Sequence, residues 1–295
     1  MSNSFHIRAL DDSDVSMVTY WSRNEGFSPG LGDVSIYKNT DKQGLWIGCL
    51  DDLPIGCIAG VKYNSLYGFI GLFIVDKAYR GNGYGVKLWG HVINNLSNVC
   101  CLGIEAAPDR ISDYQEWGFK PSSKTTRWII DVKDISPTNE ILSHLNEDYC
   151  LLEGSQIPRN IIQNYDANKE NTPRPHFISD WLSHKAGTVL AIVNTKGLCV
   201  GFSRIRPCLF RNGNGYRIGP LVADTPFLAS ALIKSLLRKY PGSTLIDSPG
   251  LNPYANELLK SLGFQPLAHT VRMYKGKQPT ISMKEIYGLA CLELG

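Results

Sequence analysis

The sequence predicts an α/β protein with mixed sheets, arranged as two related halves, and three observations carry that reading. Strand-like and helix-like hydrophobic periods interleave along most of the 295 residues. A nearly continuous apolar run at 66–75, the pattern of a strand buried on both faces, passes through a glycine-rich loop into a segment with Leu88, Val92 and Leu96 at helical spacing. The same order then returns. Asp76 ends one run and is followed 43 residues later by Phe119, while Asp224 ends another and is followed 40 residues later by Phe264. The second copy is short where the first has its glycine-rich loop, so a duplicated unit with one degenerate copy is expected.

Each element has its own signal. Residues 5–10 alternate as a short strand, and Asp11, Asp12, Ser13 and Asp14 supply cap candidates and first-turn acids for a helix reaching Asn24. After a loop at 26–32 and a short helix at 33–39, the apolar runs 45–50 and 55–63 flank Asp51-Asp52-Leu53-Pro54 and read as a hairpin. Beyond the buried strand and its helix come a strand at 99–106, a short helix at 108–116 opening on a proline, and a strand at 126–132. Residues 136–174 are polar and punctuated by proline, with helical stretches at 139–145 and 160–165. The second half then reads as strands at 189–194, 197–206 and 216–222, a helix at 228–240, a strand at 244–247, a helix at 253–262 and a strand at 270–274. Domains at 1–135 and 136–295 follow from this order.

Composition bounds the function. With 43% hydrophobic and 19% charged residues, the chain is not disordered, collagenous or a coiled coil. A net charge of +3 gives no reason to expect nucleic acid or an anionic membrane as partner. The amino terminus lacks a basic segment leading into an apolar core, and no apolar run approaches the ~20 residues of a membrane span, so a cytoplasmic protein is expected, monomer or homodimer. Eight cysteines show no C-x-x-C spacing and are expected as buried free thiols; six histidines form no H-x-x-x-H pair, and no metal is expected. Arg204, Arg206, Arg211 and Arg217 read as the solvated face of a half-exposed sheet.

The loop Arg80-Gly81-Asn82-Gly83-Tyr84-Gly85 joins a strand end to a helix start, where unpaired amides and the positive end of the helix dipole converge on a place for phosphate. Val86 and Leu88 stand where a dinucleotide fingerprint needs glycine, and there is no Gly-Lys-Ser/Thr for a nucleoside triphosphate. The pattern that matches is Arg-x-x-Gly-x-Gly at Arg80, Gly83 and Gly85. With the element order of residues 5–132 and the ending Tyr114-Gln115-Glu116-Trp117-Gly118-Phe119, it resembles the Gcn5-related N-acetyltransferase (GNAT) superfamily, in its bacterial two-domain form with a divergent second unit.

The resemblance implies acetyl-CoA as co-substrate, its pantetheine beside Ile74, Val75 and Asp76 and its pyrophosphate on residues 80–85. Ala107-Pro108 replaces an asparagine common in the family, whereas Asn252-x-x-Ala255 keeps it in the second half; there Leu259 replaces the tyrosine and the loop is missing, so the second half is not expected to catalyse.

Acyl transfer to an amine needs the neutral nucleophile, and less than about 1% of an alkyl ammonium is neutral at pH 7. The 68–75 strand carries no acid. Glu105 is the first candidate for the base, with Glu25 and Asp247 as alternatives, and Tyr114 occupies the family position for protonating the departing thiolate. The expected function is N-acetylation of a small-molecule primary amine, with a non-catalytic CoA-binding module and a peptide N-acetyltransferase as the other readings.

Overall fold

The computed structural model describes residues 4–133, 145, 147–169, 174–278 and 283–295. The helix expected at 139–145 lies outside them, save Leu145. The first half runs β1 (Phe5–Ala9), α1 (Val15–Asn24), α2 (Asp33–Thr40), β2 (Leu45–Leu50), β3 (Leu53–Lys62), β4 (Tyr67–Val75), α3 (Tyr84–Asn95), β5 (Cys101–Ala106), α4 (Ile111–Glu116) and β6 (Lys120–Val132). The second runs β7 (Tyr149–Glu153), α5 (Arg159–Lys169), α6 (Pro175–Ser183), β8 (Thr188–Asn194), β9 (Cys199–Leu209), β10 (Asn214–Ala223), α7 (Pro226–Lys239), β11 (Gly242–Pro249), α8 (Ala255–Ser261), β12 (Gln265–Gly276) and β13 (Ile286–Gly288). The sequence reading did not anticipate β7, α6 or β13, and it drew β6 and β12 too short.

Those two long strands decide the architecture. The described strands form one sheet in the order β1-β2-β3-β4-β5-β12-β6-β11-β10-β9-β8-β7, with β13 alongside β10. β12 of the second half pairs antiparallel with β5 of the first, Arg272 opposite Glu105. Reciprocally, β6 of the first half pairs with β11 of the second, Trp128 opposite Ile246. The halves thus exchange their sixth strands, and the sheet does not divide where the sequence does.

The cores follow the same pattern. One apolar cluster joins α1 and α2 to α5 and α6 across the halves, through Val18, Trp21, Tyr37, Phe177, Trp181 and Phe202. Separate clusters lie under α3 (Leu88, Trp89, Val92) and α7 (Leu232, Ile233, Leu236). Each buried large aliphatic or aromatic side chain contributes about 1.5–3 kcal/mol, so the shared cluster makes each half depend on the other.

Two expectations need correction. Arg204, Arg206 and Arg217 are fully buried, not a solvated face. α6 covers β9, and the Arg206 and Arg204 guanidinium carbons lie 4.4 and 5.2 Å from the Trp181 ring. Cys100 and Cys150 are exposed free thiols: Cys100 stands one residue before β5, and Cys150 lies on β7 at the edge of the sheet. Among the described residues no helix is long and apolar enough to cross a membrane.

Candidate active site

β4 is apolar along its length because α3 covers one face and the chain's last residues cover the other. Its pairing with β5 is parallel but brief, from Tyr67–Cys101 to Ile70–Ile104, after which the strands part. On its other edge Leu72 and Phe73 together oppose only Ile58 of β3, a bulge in which Leu72 takes φ +48°, a conformation that costs a branched side chain energy and persists only where packing enforces it. The opening between β4 and β5 becomes a cavity of about 990 Å³.

At one end lies the glycine loop. Gly81 and Gly83 have φ of +79° and +80°, and a β-carbon built on either meets nothing within 4 Å, so the glycines leave open space in front of the first turn of α3. Ile74, Val75, Arg80, Gly81, Gly83, Tyr84 and Gly85 line the cavity. Asp76 and Asn82 bind the loop to itself instead: Asp76 Oδ1 accepts from the Ala78 amide at 3.0 Å, and Asn82 Nδ2 donates to the carbonyls of Tyr79 and Arg80. Arg80 donates Nε–H to the Val75 carbonyl at 2.8 Å, and its Nη2 lies 2.8 Å from Glu25 Oε1. Open glycines, a helix amino terminus and an arginine suit a pyrophosphate.

Tyr114 of α4 also lines the cavity, its ring 5.1 Å from Trp89 and 6.5 Å from Phe119. Burial among these rings raises its phenol above the usual tyrosine range, which keeps its proton available.

The acids present a different picture from the sequence expectation. Glu105 lies on the face of β5 away from α3, and its carboxylate accepts from Thr270 Oγ1 (2.6 Å), Arg272 Nε (2.6 Å) and Thr125 Oγ1 (2.9 Å). Donors on β6 and β12 thus occupy the oxygens, so Glu105 ties the exchanged strands to β5 and is poorly placed to take a proton. Asp247 is held by Arg127 and Arg217. Burial by itself would raise its carboxyl, but the two arginines outweigh that and hold it at about 2. Glu25 is paired with Arg80.

Sequence reasoning missed two contributions. Ala268, His269 and Thr270 of β12 line the first half's cavity, and so do Leu292 and Glu293 near the carboxyl terminus. Glu293 accepts from Tyr37 Oη and the Leu292 amide, both at 3.0 Å, and its other oxygen is 3.8 Å from Arg217. The last residues press against β4: a β-carbon at Gly71 would stand 2.0 Å from the Glu293 carbonyl. No local signal marks either segment, because both reach the site by topology.

Comparison with known proteins identifies the family and the fold. Residues 15–119 match the acetyltransferase (GNAT) family model and residues 162–288 an acetyltransferase (GNAT) domain model. The holothin acyltransferase of Pseudoalteromonas sp. (strain SANK 73390) is 28% identical over 287 residues, covering 95% of this chain and 90% of its own. A Pyrococcus horikoshii crystal structure, of a protein proposed to be an acetyltransferase, superposes with a TM-score of 0.78 at 21% identity over 99% of this chain and 96% of its own. A tandem GNAT protein of the clavulanic acid biosynthesis pathway gives 0.64 at 13% identity over 94% and 99%. With a GNAT unit recognised in each half, joined through exchanged strands, the chain belongs to the Gcn5-related N-acetyltransferase superfamily of acyltransferases.

Proposed function

We propose that the protein transfers an acetyl group from acetyl-CoA to a primary amine of a small molecule. The observation that carries this reading is one continuous cavity, open at the glycine loop and walled at the other end by residues from both halves. The walls contributed by β11, β12 and the carboxyl-terminal residues narrow the acceptor end, which favours a small amine over a peptide laid along an open groove.

When bound, acetyl-CoA supplies a thioester whose carbonyl carbon the amine nitrogen attacks, forming the C–N bond while the C–S bond breaks and the sulfur leaves as thiolate. The remaining work falls to the chain. Gly81, Gly83 and the first turn of α3 hold phosphate, and the edge of β4 from Leu72 to Val75 offers backbone groups that β5 does not take. Tyr114 donates its proton to the thiolate and regains, through water, the proton that the acylated nitrogen gives up; with a thiol near ~8.5 and an ordinary phenol near ~10 the isolated transfer is about 2 kcal/mol uphill, and burial of Tyr114 raises that further, so Tyr114 assists without being indispensable. Glu25, Glu105, Asp247 and Glu293 each face an arginine; in this reading the amine sheds its proton to water and its neutral form reacts.

The test is thiol release from acetyl-CoA against a panel of amines, amino acids and peptides. Turnover with small amines is expected, with kcat/KM for an alkylamine rising about ten-fold per pH unit below the amine's own pKa. Acetyl-CoA binding without turnover on any acceptor would make the protein a binding module, and preference for peptides would overturn the small-amine reading.

A further inference from the structure

A further wall of the acceptor end is the segment after α1, residues 26–30, of which Gly26 and Phe27 face the cavity. It has no regular structure of its own, and Ser28 stands at φ +56°, so something else must hold it in place. What holds it comes largely from the second half. Leu31 donates its amide to the Pro207 carbonyl at 2.8 Å and Leu209 donates to the Pro29 carbonyl at 2.9 Å, which lays the segment along β9.

Of the carbonyls that remain, Gly30 accepts from the Asp33 amide at 3.1 Å, and those of Gly26, Phe27 and Ser28 are taken by two arginines, Ser28 accepting also from Cys208 Sγ at 3.0 Å. Arg127 of β6 donates from Nη1 to the Gly26 and Phe27 oxygens at 3.3 and 3.2 Å. Arg217 of β10 donates from Nη1 to the Ser28 oxygen at 3.2 Å. Both guanidinium groups converge on one carboxylate: Asp247 Oδ1 accepts from Arg127 Nε at 2.7 Å, and Oδ2 accepts from Arg127 Nη2 at 3.0 Å and Arg217 Nη2 at 2.6 Å. Asp247 and Arg217 are fully buried and Arg127 nearly so. Buried like charges repel unless a counter-charge lies between them, and a planar guanidinium keeps its direction only while its forked partner is present.

We propose that Asp247 is a positioning residue for the amine subsite: it aims Arg127 and Arg217 at three successive carbonyls and so sets the acceptor wall. Asp247 belongs to the degenerate half, yet the wall it sets belongs to the active one. The proposal rests on the acyltransferase reading for its kinetic arm, whereas its structural arm stands without it.

The test uses the full chain with Asp247→Asn, and Arg127→Lys as the second variant, which keeps a cation for Asp247 but cannot fork to the carbonyls. For whichever variant folds, KM for the amine is expected to rise about ten-fold or more while acetyl-CoA affinity, measured by calorimetry without amine, stays within about two-fold. Hydrogen exchange should quicken at the amides of 26–31 and stay unchanged at those of 81–86. Parallel losses for amine and acetyl-CoA, or unchanged exchange at 26–31, would overturn the proposal. If the unmodified protein acetylates no amine, the function assignment fails instead, and the exchange measurement still decides the role of Asp247.

Discussion

The two halves open the same pair of strands and treat the gap in opposite ways. In the first, β4 and β5 part after Ile70 and Ile104, and the gap becomes the cavity. In the second, β10 and β11 pair in parallel only from Tyr216–Thr244 to Ile218–Ile246 and then part as well. There the chain fills its own gap. β13 pairs with β10 at Leu221 and Val222, and Leu289 donates its amide to the Asp247 carbonyl of β11 at 2.8 Å. Asn252, the asparagine that the first half lacks, donates to the carbonyls of Lys284 and Ile286 at 3.1 and 2.9 Å and so clamps the inserted strand. Where the first half has its glycine loop, the second turns from β10 to α7 through Thr225, whose hydroxyl caps the helix, and Pro226. The second half thus fills with backbone and caps the gap that the first half leaves open, and its residues line part of the first half's cavity.

The largest effect is expected from Gly83→Val, which forces a branched side chain into φ +80° and puts its methyl groups in the open space before α3: acetyl-CoA affinity should fall about hundred-fold by calorimetry, and the unmodified protein should bind one acetyl-CoA per chain, not two. Next comes the electrostatic joint between the halves. The Asp247 carboxyl is depressed from 3.8 to about 2 in the folded state, so its stabilisation is complete above the unfolded value and is lost as pH falls through the folded one; the shift corresponds to about 2 kcal/mol, read as a fall in denaturation midpoint between pH 4 and 2.

Tyr114→Phe should lower kcat about ten-fold and leave acetyl-CoA affinity within about two-fold, worth about 1.4 kcal/mol in the transition state. Because burial raises that phenol, the protonated form persists through the ordinary tyrosine range, and any alkaline loss of rate due to Tyr114 should come above pH 10. The smallest effect belongs to the second half: Thr225→Ala removes a helix cap, should cost about 1 kcal/mol in thermal denaturation, and should leave both substrate affinities unchanged.

Much of this was legible in the residues themselves. The strand, glycine loop and helix at 66–96 could be read because hydrophobic period, glycine and helix start are neighbours in sequence and act over a turn or two of backbone. Tyr114, singled out by the resemblance of the ending at Phe119, does line the cavity. Glu105 was found as a residue but not in its role, because Arg272 and Thr270, which occupy it, lie more than 160 positions away. The arginines of β9 and β10 pointed to solvent by alternation alone; α6 and the segment after α1, elements distant in the chain, bury them.

The two-unit order, the fold class and the glycine loop were thus legible in the residues, because all three depend on local periodicity and backbone freedom. Only long-range contacts make β6 and β12 change places, close the second gap with β13, and bring Asp247 to Arg127 and Arg217. Those outcomes depend on which strand edge, left unpaired by one segment, is satisfied by another, and hydrogen bonding between distant strand edges leaves no periodic mark on the residues that carry it.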